Sequence, residues 1–330
     1  MLSHALIKAA VAKGEPAGET WYNATLSPDP GSVDLNHIAC NSDGSVFLAI
    51  VTHNSDGIQY FYRSFDGRSF TLLGSVSALV GRAGNPTGLV HTGTRWIIGY
   101  SSLSPISYRS TNNGSSWTSL NLPLPSGYRC QRVAGEGSYV AVTNADDGRT
   151  YFSVNGGTSF PYDYLTYGFV IHIGGANWSM EQDISNQRGY IHVSQNGGAS
   201  FYARILASGV QSSANGAVIG SSGDIYAYGL YSPVSGQPFK GAIWRINPST
   251  NAISLIFVGN DGAPVRSAIN LEDDYTLWQN SNTSTVDQDG WDAGGIDSDI
   301  TRSNSGTNRF ELRSNFVYIL GDGFRYTTHH

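Results

Sequence analysis

One short pattern recurs along this chain and limits what it can fold into. Ser110-Thr-Asn-Asn-Gly-Ser-Ser-Trp117 has near copies in Ser153-Val-Asn-Gly-Gly-Thr-Ser-Phe160 and Ser194-Gln-Asn-Gly-Gly-Ala-Ser-Phe201, with a shortened form in Ser64-Phe-Asp-Gly-Arg-Ser-Phe70. The shared residues are Ser64, Asp66, Gly67 and Phe70; Ser110, Asn112, Gly114 and Trp117; Ser153, Asn155, Gly157 and Phe160; and Ser194, Asn196, Gly198 and Phe201. Each has its own physical task. The Asn or Asp side chain accepts hydrogen bonds from backbone N–H groups a few residues on and closes a turn. The Gly takes a positive φ at no steric cost. The aromatic restarts a strand and buries a large apolar area. Such a fragment is a hairpin turn, not a reaction centre.

The first Ser of each copy falls at 64, 110, 153 and 194, so the period is in the forties. Short β patterns at that period predict a propeller, one small sheet or blade per repeat. A strand precedes each turn, as in Gln59-Tyr-Phe-Tyr-Arg-Ser64, with a second ahead of it, as in Val46-Phe-Leu-Ala-Ile50. Before that comes a small apolar first strand, as in His37-Ile-Ala-Cys40. The pattern continues through 217–258 as a fifth unit, begins a sixth at 268–278 and a seventh at 309–327. The seventh has three strands, and residues 19–27 read as its missing fourth, pairing beside the last blade and removing an open edge. The expected fold is an all-β, seven-bladed propeller of four-stranded antiparallel blades spanning 19–330, closed by its N-terminal strand. Six or eight blades remain as alternatives.

Residues 1–18 stand outside the repeat. They read as a short helix, stopped by Gly14 and Pro16. One reading makes it a loosely packed terminal helix, the other an arm that docks on another chain. No run reaches the roughly 18–20 apolar residues of a membrane span, so no membrane insertion is expected. Lys occurs only at 8, 13 and 240, charged residues are 13% of the chain, and the net charge is −6. A nucleic-acid partner is therefore not expected.

Residues with chemical potential have structural readings. Cys40 and Cys130 fall two blades apart and read as free thiols. Arg63, Arg109, Arg245 and Arg325 occupy similar places and read as reaching an adjacent blade. The run from Asp287 to Asp299 lacks the spacing of an EF-hand loop and reads as a turn with solvated carboxylates, with a weak Ca²⁺ site as the alternative. Asn144 to Arg149 reads as a blade hairpin. His37, His91, His172 and His192 are scattered without a catalytic order. The Trp residues follow the repeat, which favours packing over a sugar platform. No metal, cofactor or catalytic residue is assigned. Loops 74–86, 207–216, 231–240, 259–267 and 296–307 are the candidate binding rim. Tyr231, Gln237, Phe239 and Lys240 are its most distinctive residues.

The four turns resemble the Asp-box, or BNR repeat, of sialidases and many non-enzymatic propellers. That resemblance implies the fold, not an activity. The sialidase-like pattern of an Arg-Ile-Pro segment, three clamping arginines and a Tyr–Glu pair is not recognisable here. Of the Glu residues in the repeat region, Glu136 and Glu272 fall in turns, and Glu181 and Glu311 on strands without an Arg cluster. The layout, a short arm before a closed ring poor in Lys and Glu, is similar to bacteriophage tail-associated proteins. It implies a non-enzymatic interaction propeller in a virion, a hub, fibre mount or receptor-contact part, with virion or assembly proteins as partners through residues 1–18 and a host-surface glycan as a further candidate. The alternatives are a secreted glycan-binding protein or a sialidase-like glycoside hydrolase.

Overall fold

The computed structural model describes residues 22–328 except 82–83, 102–105, 122–128, 166–169, 181–189, 206–210, 220–223, 233–239, 248, 251, 259–264, 271–274, 281–285, 291–308, 314–315 and 323–324. The helix and arm expected at 1–18 lie outside the described residues.

Strands β1 (Tyr22–Asn23) and β2 (Thr25–Ser27) come first. The first blade is β3 (Val33–Cys40), β4 (Phe47–His53), β5 (Gln59–Ser64) and β6 (Ser69–Ser75), followed by a one-turn helix, α1 (Val76–Val80). The second is β7 (Pro86–His91), β8 (Trp96–Tyr100), β9 (Ile106–Ser110) and β10 (Thr118–Asn121). The third is β11 (Cys130–Glu136), β12 (Tyr139–Asn144), β13 (Arg149–Ser153) and β14 (Tyr162–Leu165). The fourth is β15 (Val170–Gly174), β16 (Asn177–Met180), β17 (Tyr190–Ser194) and β18 (Tyr202–Ile205). The fifth is β19 (Gln211–Ile219), β20 (Ile225–Ser232), β21 (Lys240–Ile246) and β22 (Ile253–Val258). Three strands follow as one sheet, β23 (Val265–Asn270), β24 (Tyr275–Asn280) and β25 (Val286–Gly290). Last come β26 (Arg309–Arg313), β27 (Phe316–Asp322) and β28 (Arg325–Thr328).

Within each blade the strands pair antiparallel in chain order. The first strands touch one another in sequence, β3 to β7, β11, β15, β19, β23 and β26, and β26 touches β3 again. They form the innermost circle, and the blades radiate from it.

The second strands show why the sheets pack face to face. In β4 every residue but Thr52 is buried. Phe47, Ala49 and Val51 join one cluster with Tyr62 and Phe70, while Leu48 and Ile50 join another with Leu89, Trp96, Ile98 and Trp117 of the second blade. Alternation therefore sends successive side chains into two different cores, and a strand covered on both faces reads as a continuous apolar run. The next interfaces repeat the plan. Val90 and Ile97 meet Val133 and Val142, Phe152 meets Trp178, and Val193 meets Ala217 and Trp244.

Where the ends of the chain meet, the structure departs from the expected single closing strand. Tyr22–Asn23 pairs antiparallel with β28, Tyr22 opposite Tyr326 and Asn23 opposite Arg325. Thr25–Ser27 then pairs in parallel with β6 of the first blade, Leu26 opposite Phe70. Ala24 and Leu26 pack on the cluster around Tyr62 and Phe70, so the segment is drawn across the seam and joins the sheets on both sides. Gly321 and Asp322 of β27 also pair with Leu35 and Asp34 of β3.

Two further expectations need correction. The loop at 74–86 contains α1, whose Ser75 cap accepts a hydrogen bond from the Ala78 N–H and whose buried Val76 and Val80 hold it on the core. The acidic run begins on a strand rather than in a turn, with Asp287 paired to Trp278 and Asp289 to Thr276. Cross-strand pairing there outweighs the weak β propensity of Asp. Asp292, Asp297 and Asp299 lie outside the described residues.

Candidate functional site

The four repeated turns close by one hydrogen-bond circuit. The hydroxyl of Ser64, Ser110, Ser153 and Ser194 donates to the Asp or Asn side chain two residues on, at 2.8, 2.9, 2.9 and 2.9 Å. The same hydroxyl oxygen accepts from the N–H of Gly67, Gly114, Gly157 and Gly198 at 2.9, 3.0, 2.9 and 3.0 Å. The Asn oxygen accepts in turn from the N–H of Ser116, Ser159 and Ser200, and Asp66 from those of Arg68 and Ser69. Each Ser is buried. Each stands opposite the start of the second strand, at Phe47, Trp96, Val140 and Trp178 respectively. Gly114, Gly157 and Gly198 sit against the preceding blade. A Cβ on Gly198, at φ +91°, would come within 2.3 Å of the Phe152 ring, so both conformation and space require Gly there.

These turns also fasten blade to blade. Trp117 stacks on Phe61 at 4.8 Å between centroids, worth about 0.5–1.5 kcal/mol beyond its area. Arg63 donates to Ser115 at 3.2 Å, and Arg95 donates to the Gly156 carbonyl and Thr158 hydroxyl at 3.2 and 3.0 Å. Arg245 donates to Asp224 inside the fifth blade at 2.7 Å. Asp66 is the only ionisable member of the four circuits. Partial desolvation pushes its carboxyl up, but the Ser69 and Arg68 N–H groups and the Ser64 hydroxyl outweigh this and hold it at about 2.

A second regularity lies at the other end of the blades. Six first strands carry a β-bulge, with the extra residue at Asn36 in β3, Thr87 in β7, Gln131 in β11, Ile173 in β15, Asn215 in β19 and Arg266 in β23. In the first three blades each bulge sits between the third and fourth residues past the one opposite the repeated Ser. The bulges of β3, β7 and β11 thus share one level, near the entry of the strand, and their extra residues are polar, whereas the bulge of β15 lies near the end of its strand. Asn36 accepts from the Thr52 hydroxyl at 2.7 Å. The Thr87 hydroxyl donates to the Cys130 sulfur at 3.5 Å. Gln131 is exposed. Just inside this level, His37 Nε2 lies 3.3 Å from the Pro86 carbonyl oxygen. Sequence reasoning missed these residues because the first strands were read as starting later, at His37 in the first blade.

Of the rim residues chosen from sequence, Tyr231 and Lys240 are among the described ones, and they stand opposite each other on β20 and β21. Tyr231 is half-buried, its ring 6.4 Å from that of Trp244. Gln237 and Phe239 lie outside the described residues, as do Glu181 and Glu272. Glu136 ends β11, and Glu311 is on β26. His91 packs on Trp96 at 4.6 Å and His172 on Trp178 at 4.7 Å. Burial lowers the pKa of His91 and of His192. A histidine not singled out before, His53, stacks on Tyr60 at 4.0 Å and shares a 2.8 Å hydrogen bond with the Tyr62 hydroxyl. Cys40 and Cys130 are free thiols, and burial pushes Cys130 up to about 11. Trp96, Trp117, Trp178 and Trp244 are buried packing residues. Among the described residues no group of His, Cys, Asp or Glu is placed to hold a metal ion, and no helix is long and apolar enough to cross a membrane.

Antiparallel sheets radiating from a circle of first strands make this chain a β-propeller. Its likeness to solved structures runs over nearly the whole length. YCF48 from Cyanidioschyzon merolae is 14% identical, with a TM-score of 0.65 over 94% of this chain and 98% of that one. Virginiamycin B lyase from Staphylococcus aureus is 12% identical, with a TM-score of 0.60 over 94% and 99%. A GH74 xyloglucanase from Xanthomonas campestris is 13% identical, with a TM-score of 0.59 over 96% of this chain and 54% of the enzyme. No family model and no curated protein matches the chain. At these identities the likeness is one of fold, shared here by a lyase, a xyloglucanase and a protein whose structure has also been solved bound to D1 peptide.

Proposed function

We propose that this chain is a non-enzymatic interaction propeller, and that it serves as a tail-associated part of a bacteriophage virion. The observation that carries the first half is what the ionisable side chains are engaged in. Asp66 closes a turn, Asp43 and Asp56 cap others, Asp146 holds Arg129, Asp163 holds Arg149, Asp224 holds Arg245, and His53, His91 and His172 pack on aromatic rings. Groups held this way stabilise turns and seams. A hydrolase instead needs two suitably spaced carboxyl groups or a Tyr nucleophile aimed at one cleft. The seven-blade count belongs to the same reading, supported by the contacts that run from β3 through β26 and back to β3.

The virion half rests on sequence layout, an arm at 1–18 ahead of a ring with few Lys and Glu. Its partners are then other virion or assembly proteins, and its location is the particle. The test is direct. Antibody raised against the purified chain is used to probe purified phage particles, and the chain is incubated with a fluorogenic sialoside. Label on the particle and no turnover are the expected results. Chain found only outside particles sinks the virion role, and turnover that scales with enzyme concentration sinks the non-catalytic one.

A further inference from the structure

We propose that the outer edge of the fifth blade, strand β22, is the face through which two copies of this chain pair. This goes beyond the interaction reading and does not depend on a virion. An outermost strand presents unpaired N–H and C=O groups, a template for another strand. Among the described residues the sheets after the first blade end in β10, β14, β18, β22 and β25, while β6 of the first blade is covered by β2. The edges β14, β18 and β25 contain Asp163, Arg204, and Asp287 with Asp289, and charges on an edge discourage pairing. The edge β10 is uncharged, but its one large apolar residue, Leu120, packs on the core of the neighbouring interface. The edge β22, Ile253-Ser-Leu-Ile-Phe-Val258, is the longest of the five, carries no charge and has Ser254 as its one polar residue.

The first blade shows what such an edge accepts. Strand β6 bulges at Leu73, and residues 69–71, ahead of the bulge, take β2 as an added strand. Strand β22 bulges at Ile256, which leaves residues 253–255 as the corresponding run. Leu255 is 39% exposed, and Tyr202 on β18 is 54% exposed. Leu255 stands opposite Trp244 and Tyr202 opposite Val193, and both partners belong to the cluster between the fourth and fifth blades. The two exposed side chains therefore flank one groove and widen the apolar edge. Of the other exposed aromatics, Phe65 lies under the Arg63 guanidinium, and Tyr162 shares its strand with Asp163, which is paired with Arg149.

The charge pattern favours a second copy as the occupant. A two-fold axis reverses the strand, so β22 meets itself antiparallel. With Ser254 on the axis, Ser254 faces Ser254 and Ile253 faces Leu255 of the second copy. No like charges oppose each other in that register, whereas self-pairing of β14, β18 or β25 would bring like charges together. Arg245, which stands opposite Ser254 on β21, is already held by Asp224. An acidic or basic partner strand would gain nothing from an uncharged edge. The pairing uses both edges and closes at two copies.

The experiment is sedimentation velocity of the full chain over a wide concentration range, because so short an edge gives a weak dimer. A reversible monomer–dimer equilibrium is expected, with β22 amides better protected from hydrogen exchange at high concentration. Ser254→Lys sets two ammonium groups face to face on the axis and should weaken the dimer about fivefold. Leu255→Lys also removes apolar contact and should weaken it about tenfold. Thr118→Lys, on the edge of β10, is the control and should dimerise like the wild type. All three side chains are exposed, and melting curves check that each variant folds. A chain that stays monomeric, a dimer that neither β22 variant weakens, or growth past two copies overturns the proposal. So does a monomeric free chain whose β22 amides are protected only in phage particles, which would assign the edge to another virion protein. Particle labelling can fail while the dimer stands, and the dimer can fail while labelling stands, so the two readings are separated.

Discussion

Asp66 shows what a single atom group does in this fold. Three of the four repeated turns use Asn, and one uses Asp, in the same circuit of Ser hydroxyl, side-chain oxygen and backbone N–H. Only the Asp copy responds to pH. Its folded pKa, about 2, is below the ordinary 3.8, so its contribution is complete above about pH 4 and is lost as pH falls towards 2. Asp66→Asn should therefore be less stable than the wild type at neutral pH, with the gap narrowing on acidification. Thermal melts across the range from neutral to about pH 2 read this, and a gap that stayed constant would contradict it. His53, His91 and His192, lowered by burial, lose stabilisation in the same direction but from a higher pH, and they affect both proteins equally.

Strands in this ring owe their positions to close approach as much as to pairing. Gly88 on β7 has no room for a side chain, since a Cβ would lie 2.1 Å from the Val133 carbonyl oxygen of β11. Backbone cannot move aside as a flexible side chain can, so the two blades would have to separate. Gly88→Ala should cost about 1–3 kcal/mol, seen as a lower midpoint in urea with an unchanged slope. A variant as stable as the wild type would contradict the close approach of β7 and β11. The bulges belong here too. The turn motif was legible because its residues lie within eight positions. The bulges were not, because a bulge is defined by the partner strand, and nothing local in Asn36 or Gln131 announces two residues facing one.

The ring as a whole depends on where its ends meet. The segment 22–27 pairs with β28 on one side and β6 on the other, and β27 reaches β3. Removing residues 1–18 should leave the melting temperature unchanged. Removing residues 1–27 should lower it and raise hydrogen exchange in both β28 and β6. Exchange that rose in β28 alone would show that the parallel pairing with β6 carries no weight. The virion proposal has its own consequence for the shorter deletion: the ring should fold but no longer join particles.

The repeated turns, the three strand patterns before them and the period in the forties were written in local residue types, because side-chain hydrogen bonds to near backbone, positive φ and two-residue alternation all act over short stretches. They sufficed for a ring of four-stranded antiparallel sheets. The split of the closing segment, the strand under Asp287 and the common level of the bulges in β3, β7 and β11 came from tertiary structure alone. Each depends on which distant strand lies opposite, and that is settled by packing around the axis rather than by the preferences of the residues themselves.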